Sequence, residues 1–377
     1  MRLLISAGEA SGELYGAGLI EALRRRVPNA EFFGVGGKRM RDAGFETIID
    51  AHAISVVGLS EVVGHLPRLY GEFKRLVREA KARRPDAAVL IDFPDFNLRL
   101  AREMHKLGIP VIYYVSPQLW AWRAGRIKQI KKYVKKVLVI FPFEVEFYRN
   151  HNVAAEYVGH PLADEPLPSV TREQFAAENQ LDASKLWIAL LPGSRRKEVS
   201  LNLPAMLDAA AQLGYHHQFV LPVASSLDPG WIRSLVSHSQ IPISLSRDAR
   251  ASLLRARAGI VASGTATVEA ALIGTPFVMI YRVTPLTWSL GRRFVKLNRF
   301  AMPNLIAGRD VVPEFVQGEF WPKAVADKMR ELIADGPARQ AMVEGLAEVR
   351  AKLHPSAHGT ASERAAAAVV DTLQTSS

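Results

Sequence analysis

The feature that most constrains this 377-residue chain is an alternation that runs through it twice. Short apolar runs at 3–7, 31–35, 87–91, 111–115, 137–140 and 156–158 are separated by amphipathic stretches such as 15–26 and 70–83. Apolar runs bounded by turn residues read as strands, and the amphipathic stretches as the crossover helices that parallel strands require. A proline-rich linker over 164–170, with Pro166 and Pro168 in it and Pro161 just before it, interrupts the pattern. It then restarts with 187–191, 218–222, 243–245, 259–261 and 276–280. The fold class this predicts is α/β, with two tandem Rossmann-like doubly wound domains at 1–165 and 166–345. Helices at 323–335, 337–352 and 362–373 have no strands after them, and the segment 346–377 could pack back on the first domain. Ligands of such sheets bind beyond the carboxyl ends of the strands, so two facing domains would enclose a cleft.

Two turns of the second half look like walls of one anion site. In IALLPGSRRKEV at 188–199 and GIVASGTATVEAALIGTPFVMIY at 259–281, an apolar run stops at Gly, Ser, Thr or Pro and a polar or helical stretch follows. A helix beginning near Thr265 would aim its positive end at the crevice, and backbone N–H groups around Ser194, Gly264 and Thr265 would favour a diphosphate there. Arg195 and Arg196 add positive charge, and Arg195 is the first choice for pairing phosphate because a guanidinium contacts two oxygens at once. Glu269 falls one turn into the helix, placed either to accept hydrogen bonds from a nucleotide's sugar diol or simply to be solvated. Neither segment matches GxGxxG or GxxxxGK[ST], which weakens the dinucleotide and Walker readings.

In the first half, SAGEASGELYG at 6–16 puts Gly8, Ser11, Gly12 and Glu13 just beyond the first strand. Small residues there permit close approach of a substrate, although a tight strand-to-helix turn would use the same glycines. Asp95, in PDFN just past the strand AAVLI, is the carboxylate best placed at the carboxyl edge of the first sheet, with Pro94 fixing the turn. Asp92 is its nearest rival and reads better as a structural carboxylate.

The net charge of +11 and a pI near 9.8 favour anionic partners: nucleic acid, acidic lipid or phosphorylated metabolites. Basic and aromatic residues interleave in WAWRAGRIKQIKKYVKK at 120–136 and TWSLGRRFVKLNRF at 287–300, as suits a bilayer interface. For the first of these, an amphipathic helix with a solvated basic face is the favoured reading. The apolar stretch 54–70 could bury acyl chains or enter the interface, or be a plain core element. Val56, Val57, Leu59, Val62, Trp288 and Phe294 are the candidate membrane or acyl contacts. No apolar run reaches the length of a membrane span, no secretory segment opens the chain, and the absence of Cys suits a reducing compartment. No HExxH or DxD element appears, and His216 and His217 are adjacent rather than at i and i+4, so no metal site is expected.

Four segments, SAGEASGELYG, DFPDFNLRLA at 92–101, YYVSPQLWAWRAGRIKQI at 113–130 and PNLIAGRDVVPEF at 303–315, resemble the lipid-A-disaccharide synthase family when taken with LLPGSRRKEV and GTATVEAALIGTP. The resemblance runs in matching order from the first strand to about Trp321. It implies the GT-B glycosyltransferase architecture and an inverting reaction. UDP-2,3-diacylglucosamine would be joined to 2,3-diacylglucosamine 1-phosphate, giving a β-1,6-linked disaccharide 1-phosphate and UDP. Inversion needs a base to take the acceptor's proton, and Asp95, which matches the family's PDFN aspartate, is the candidate the resemblance implies. Asn304, Glu314 and Gln317 resemble positions lining the donor side, with loop capping as the alternative for the last two. No cofactor or metal is implied, since the UDP-sugar is a substrate. The expected location is the cytoplasmic face of the inner membrane, on an anionic surface. The C-terminal helices could exchange between protomers to form a homodimer. One alternative is an enzyme like UDP-N-acetylglucosamine 2-epimerase on the same fold. The other, a basic binding protein without activity, has no recognised nucleic-acid module to support it.

Overall fold

The computed structural model describes residues 1–8, 10–51, 62–121, 124–291, 298–355 and 358–374. They divide into two compact units, one of Met1–Asp164 with Pro355–Ser377 and one of Glu165–His354.

The first unit is built on β1 (Arg2–Ala7), β2 (Glu31–Gly36), β3 (Glu46–Asp50), β4 (Ala87–Ile91), β5 (Val111–Tyr114), β6 (Lys136–Val139) and β7 (Ala155–Tyr157). They form one parallel sheet in the order β3-β2-β1-β4-β5-β6-β7, with Ala7 opposite Ile91 on the central pair. Leu3, Leu4, Ile5 and all of AAVLI in β4 have no exposed surface, because helices cover both faces of a parallel sheet. Those helices are α1 (Ala10–Arg26), α2 (Lys38–Asp42), α3 (Val62–Arg83), α4 (Pro94–Lys106), α5 (Ile127–Tyr133) and α6 (Pro142–Arg149). On α4, Phe96, Leu100, Ala101 and Met104 make the buried stripe at helical spacing, each large side chain worth about 1.5–3 kcal/mol on burial.

The second unit repeats the plan with β8 (Leu186–Leu191), β9 (His217–Pro222), β10 (Ile243–Ser246), β11 (Ala258–Ala262), β12 (Phe277–Tyr281) and β13 (Glu314–Val316). Their order is β10-β9-β8-β11-β12-β13, again parallel, with Leu191 opposite Val261. Its helices are α7 (Arg172–Asn179), α8 (Arg196–Leu213), α9 (Pro229–Val236), α10 (Ala249–Arg255), α11 (Thr265–Ile273), α12 (Pro285–Gly291), α13 (Met302–Ala307), α14 (Pro322–Ile333) and α15 (Pro337–Leu353). The expected strands are all present, and β3 and β13 are additions at sheet edges.

The last helix, α16 (Ala361–Gln374), returns to the first unit and packs on α1. Buried Ala365, Ala366 and Ala368 let the two helices approach. The Asp164 carboxylate accepts the Ala361 N–H at 2.6 Å, and Arg364 Nε donates to the Val158 carbonyl at 2.8 Å. By contrast α15 stays with the second unit, against α11 and α13.

Candidate active site

In each sheet the strand order reverses between two central neighbours, β1 and β4 in the first unit and β8 and β11 in the second. The loops leaving the carboxyl ends of such a pair diverge and open a crevice. The sequence-predicted residues fall mainly on these loops.

In the first unit the chain leaves β4 through Asp92 and Phe93, both at a left-handed φ of 47° that costs a non-glycine residue of order 1–3 kcal/mol. A buried network holds the turn in that shape. Asn97, fully buried one turn into α4, donates from Nδ2 to the carbonyls of Asp92 (2.8 Å) and Ile91 (3.1 Å), and its Oδ1 accepts from Ser6 Oγ at 2.7 Å. Tyr113 Oη donates to the Asp92 carbonyl at 2.7 Å. The Asp92 N–H in turn donates to the carbonyls of Tyr114 and Val115, tying the end of β4 to the end of β5. Phe93 stacks on Phe96 with ring centroids 5.5 Å apart. A Cβ on Gly8 would lie 2.4 Å from the Phe93 ring. The clamped turn presents Asp95 from the first turn of α4 with its side chain 70% exposed, and Arg126 pairs with it.

The structure places Ser11, Gly12 and Glu13 within the first turn of α1, a helix that the sequence reading begins only at residue 15. Glu13 is buried and its carboxylate accepts the Arg39 N–H at 2.7 Å. A Cβ on Gly12 would meet nothing nearer than 3.6 Å, whereas Gly8 must be small because Phe93 lies over it. The close approach at Gly8 is thus to the protein's own ring.

Arg126 reaches Asp95 from the segment after β5. That segment is anchored by Glu144, whose carboxylate, 1% exposed, accepts from Trp120 Nε1 (3.1 Å) and Ser116 Oγ (3.3 Å) and closes a cap on the Phe141 N–H (3.1 Å). Burial pushes the Glu144 carboxyl up to about 7, and the three hydrogen bonds to its charged form only partly oppose that. Trp120 also packs edge-on against Phe143 with centroids 5.0 Å apart. Asn97 and Glu144 were not singled out by sequence reasoning, and Arg126 was read only as one of the basic residues of the 120–136 stretch. Asn97 and Arg126 lay inside the quoted segments, but their partners are remote in the chain.

In the second unit the loop after β8 carries Ser194 and Arg195. The Ser194 N–H donates to Glu198 at 3.2 Å, and its carbonyl accepts from Ser226 Oγ at 2.7 Å. Arg195 caps the start of α8 with its side chain 71% exposed, 3.5 Å from Glu198, while Arg196 lies over the Trp231 ring at 4.7 Å. Across the crevice, Gly264 has a φ of +136° and precedes α11, which begins at Thr265 as the sequence predicts. Thr267 donates to the Gly264 carbonyl from both Oγ1 (2.7 Å) and its N–H (3.1 Å), closing the first turn of the helix. Glu269 is half-buried, and desolvation raises its carboxyl above the ordinary range, opposed by Arg250 and reinforced by Asp248.

Asn304, Glu314 and Gln317 sit beside the ends of β12 and β13, engaged with the protein itself. Asn304 is 1% exposed and saturated: Nδ2 donates to the Val312 carbonyl (2.8 Å) and Glu314 (2.7 Å), and Oδ1 accepts the N–H groups of Val311 and Val312 (2.8 Å each). The Glu314 carboxylate also takes the Phe300 (2.8 Å) and Ala301 (2.9 Å) N–H groups at the start of α13. Gln317 brackets the Val283 backbone, accepting its N–H at 3.0 Å and donating to its carbonyl at 2.9 Å. All three build the loop wall.

Val56, Val57, Leu59 and Phe294 lie outside the described residues, as does the side chain of Val62 at the head of α3. Trp288 is half-buried and packs on Phe300, which stacks on Tyr281. Among the described residues no three His, Asp or Glu side chains cluster as a metal ion would need, and no helix is long and apolar enough to cross a membrane.

The fold recurs in solved structures that align along the whole chain. The UDP-GlcNAc 2-epimerase from Neisseria meningitidis bound to UDP-GlcNAc superposes with a TM-score of 0.65 at 13% identity, covering 100% of both chains. The calicheamicin glycosyltransferase CalG4 gives 0.58 at 17% identity, covering 99% of this chain and 98% of its own. The fold is therefore the GT-B fold that glycosyltransferases and sugar-nucleotide epimerases share. Within that class the sequence decides. A family model described as lipid-A-disaccharide synthetase matches residues 3–369. The lipid-A-disaccharide synthase of Koribacter versatilis (strain Ellin345) is 56% identical over 99% of both chains. The chain belongs to the lipid-A-disaccharide synthase family, a glycosyltransferase family, and its likeness to the epimerases is one of fold alone.

Proposed function

We propose that the protein transfers the 2,3-diacylglucosaminyl group of UDP-2,3-diacylglucosamine to the 6-hydroxyl of 2,3-diacylglucosamine 1-phosphate with inversion. The acceptor oxygen attacks the anomeric carbon as the bond to the UDP oxygen breaks, Asp95 takes the hydroxyl proton, and UDP leaves with the bonding pair. The observation that carries this reading is the family match over residues 3–369 combined with an exposed carboxylate on a clamped turn at the sheet's switch point. General-base assistance of this kind contributes about 10²–10⁴-fold. Charge on the departing diphosphate is met by Arg195 and by the N–H groups at the start of α11 near Gly264 and Thr265, with Ser194 at the facing loop. Glu269 accepts from the ribose hydroxyls of the donor. Asn304, Glu314 and Gln317 position that donor loop. Gly8, Ser11, Gly12 and Glu13 lie on the acceptor side, where Gly8 and Glu13 act by holding Phe93 and α2.

The basic surface draws the protein to the anionic cytoplasmic face of the inner membrane, where both lipid substrates reside. No metal or cofactor takes part in this reading. A homodimer by exchange of α16 would place the bonds to Val158 and Asp164 across protomers.

The test is product analysis from the purified protein with both lipids in mixed micelles. A tetraacyl disaccharide 1-phosphate with a β-anomeric coupling in NMR is expected. An α-linked product, or a 2-epimerised UDP-sugar in place of a disaccharide, would refute the assignment.

A further inference from the structure

Arg126 pairs with the candidate base, and the two side chains are unequally exposed. Its own side chain is 20% exposed while that of Asp95 is 70% exposed, so the guanidinium is held from beneath and the carboxylate faces water. The Asp92 N–H bonds to Tyr114 and Val115 lock the β4 turn to the β5 turn, and the bonds from Trp120 and Ser116 to Glu144 anchor residues 116–120. One N–H of Arg126 goes to Asp95. A guanidinium carries five N–H groups in a planar fork suited to phosphate.

We infer that Arg126 recognises the phosphate of the acceptor, and that Asp95 holds it ready until the acceptor arrives. This rests on the function proposed above, which supplies a phosphorylated hexosamine and gives Asp95 the reacting hydroxyl. In such an acceptor the anomeric carbon that carries the phosphate and the carbon that carries the 6-hydroxymethyl group flank the ring oxygen, so a neighbouring carboxylate and guanidinium can reach one group each. A carboxylate that turns to the hydroxyl and a guanidinium that forks onto the phosphate give up their bond to each other. Binding therefore exchanges one ion pair for another: the dianionic phosphate takes the fork, and the carboxylate turns to the hydroxyl. A sugar lacking the phosphate leaves the Asp95–Arg126 pair closed. Selection for the phosphorylated acceptor is then built into release of the base.

The experiment compares kcat/KM for 2,3-diacylglucosamine 1-phosphate with that for the same acceptor lacking phosphate, in the full-length wild type, Arg126→Gln and Arg126→Lys. Wild type is expected to favour the phosphorylated acceptor by about tenfold or more, the scale of one charge-assisted contact. Arg126→Gln should lose most of that ratio, through KM for the phosphorylated acceptor, and Arg126→Lys should keep part of it. UDP affinity, which depends on the other unit, should be unchanged in both. A ratio retained in Arg126→Gln overturns the inference, as does an equal fall in kcat for both acceptors, which is what a purely structural Arg126 would give. If Arg126→Gln does not fold, Asp95→Asn decides: freeing the guanidinium should tighten acceptor binding in micelles, and unchanged or weaker binding overturns the exchange. Failure of the functional reading is distinct, since wild type would then turn over neither acceptor.

Discussion

Replacing Asn97 by Ala would strip the carbonyls of Ile91 and Asp92 of a buried donor and leave Ser6 Oγ without its acceptor. Unpaired buried polar groups cost about 1–3 kcal/mol each, so Asn97→Ala should lower Tm by several degrees and reduce turnover as Asp95 loses its fixed turn. A variant with wild-type Tm and rate would show that the network does not set the turn. Glu144 gives a pH-dependent prediction of unusual sign for a carboxyl. Its folded value is raised to about 7, so its stabilising contribution is complete below the ordinary carboxyl range and is lost as pH rises through about 7. Between about pH 5 and 8 the wild type should lose stability that Glu144→Gln retains, up to roughly 3 kcal/mol by the usual conversion. Parallel Tm–pH curves for the two proteins would contradict it. Asp95 was legible in the sequence because a carboxylate just past an apolar strand has a known position in a doubly wound sheet. Asn97 was not, because its meaning lies in Ser6, a long-range partner that no local pattern reveals.

At the scale of elements, α13 shows how a short piece is held. Six residues cannot sustain a helix alone, and Glu314 supplies acceptors for the N–H groups of Phe300 and Ala301 at its start while bonding Asn304 within it. Glu314→Ala should therefore destabilise the second unit by about 1–3 kcal/mol and raise KM for the UDP-sugar, with kcat changed less. An altered kcat with unaltered KM and Tm would point instead to direct participation of Glu314 in the chemistry. The central strands were readable because a fully buried parallel strand is a continuous apolar run. Of the two strands that were missed, β3 is ETIID and β13 is EFV, edge pieces too short or too polar to carry a period. The start of α1 was read five residues late because ASGEL has weak helix propensity, and that displaced Ser11, Gly12 and Glu13 from helix to loop. Conversely, α11 was placed at Thr265 because Gly264 marks its start.

For the whole molecule, the net charge of +11 is a statement about partners and not about fold. Binding to vesicles rich in anionic lipid should be measurable by flotation and should weaken steeply between low and physiological salt, with little binding to zwitterionic vesicles. Salt-insensitive binding would place the attraction in apolar contacts instead. The two-sheet plan was legible from the repeated alternation, whereas the site's inner supports depend on pairings between distant segments. The most direct test of the central claim is acceptor-dependent release of UDP from UDP-2,3-diacylglucosamine in mixed micelles, for wild type and Asp95→Asn, with UDP affinity measured on both. The account predicts release coupled to disaccharide formation in wild type, and in Asp95→Asn a fall in kcat of about 10²–10⁴-fold with UDP affinity unchanged. Wild-type release that does not depend on acceptor, or an Asp95→Asn protein that turns over at the wild-type rate, would contradict it.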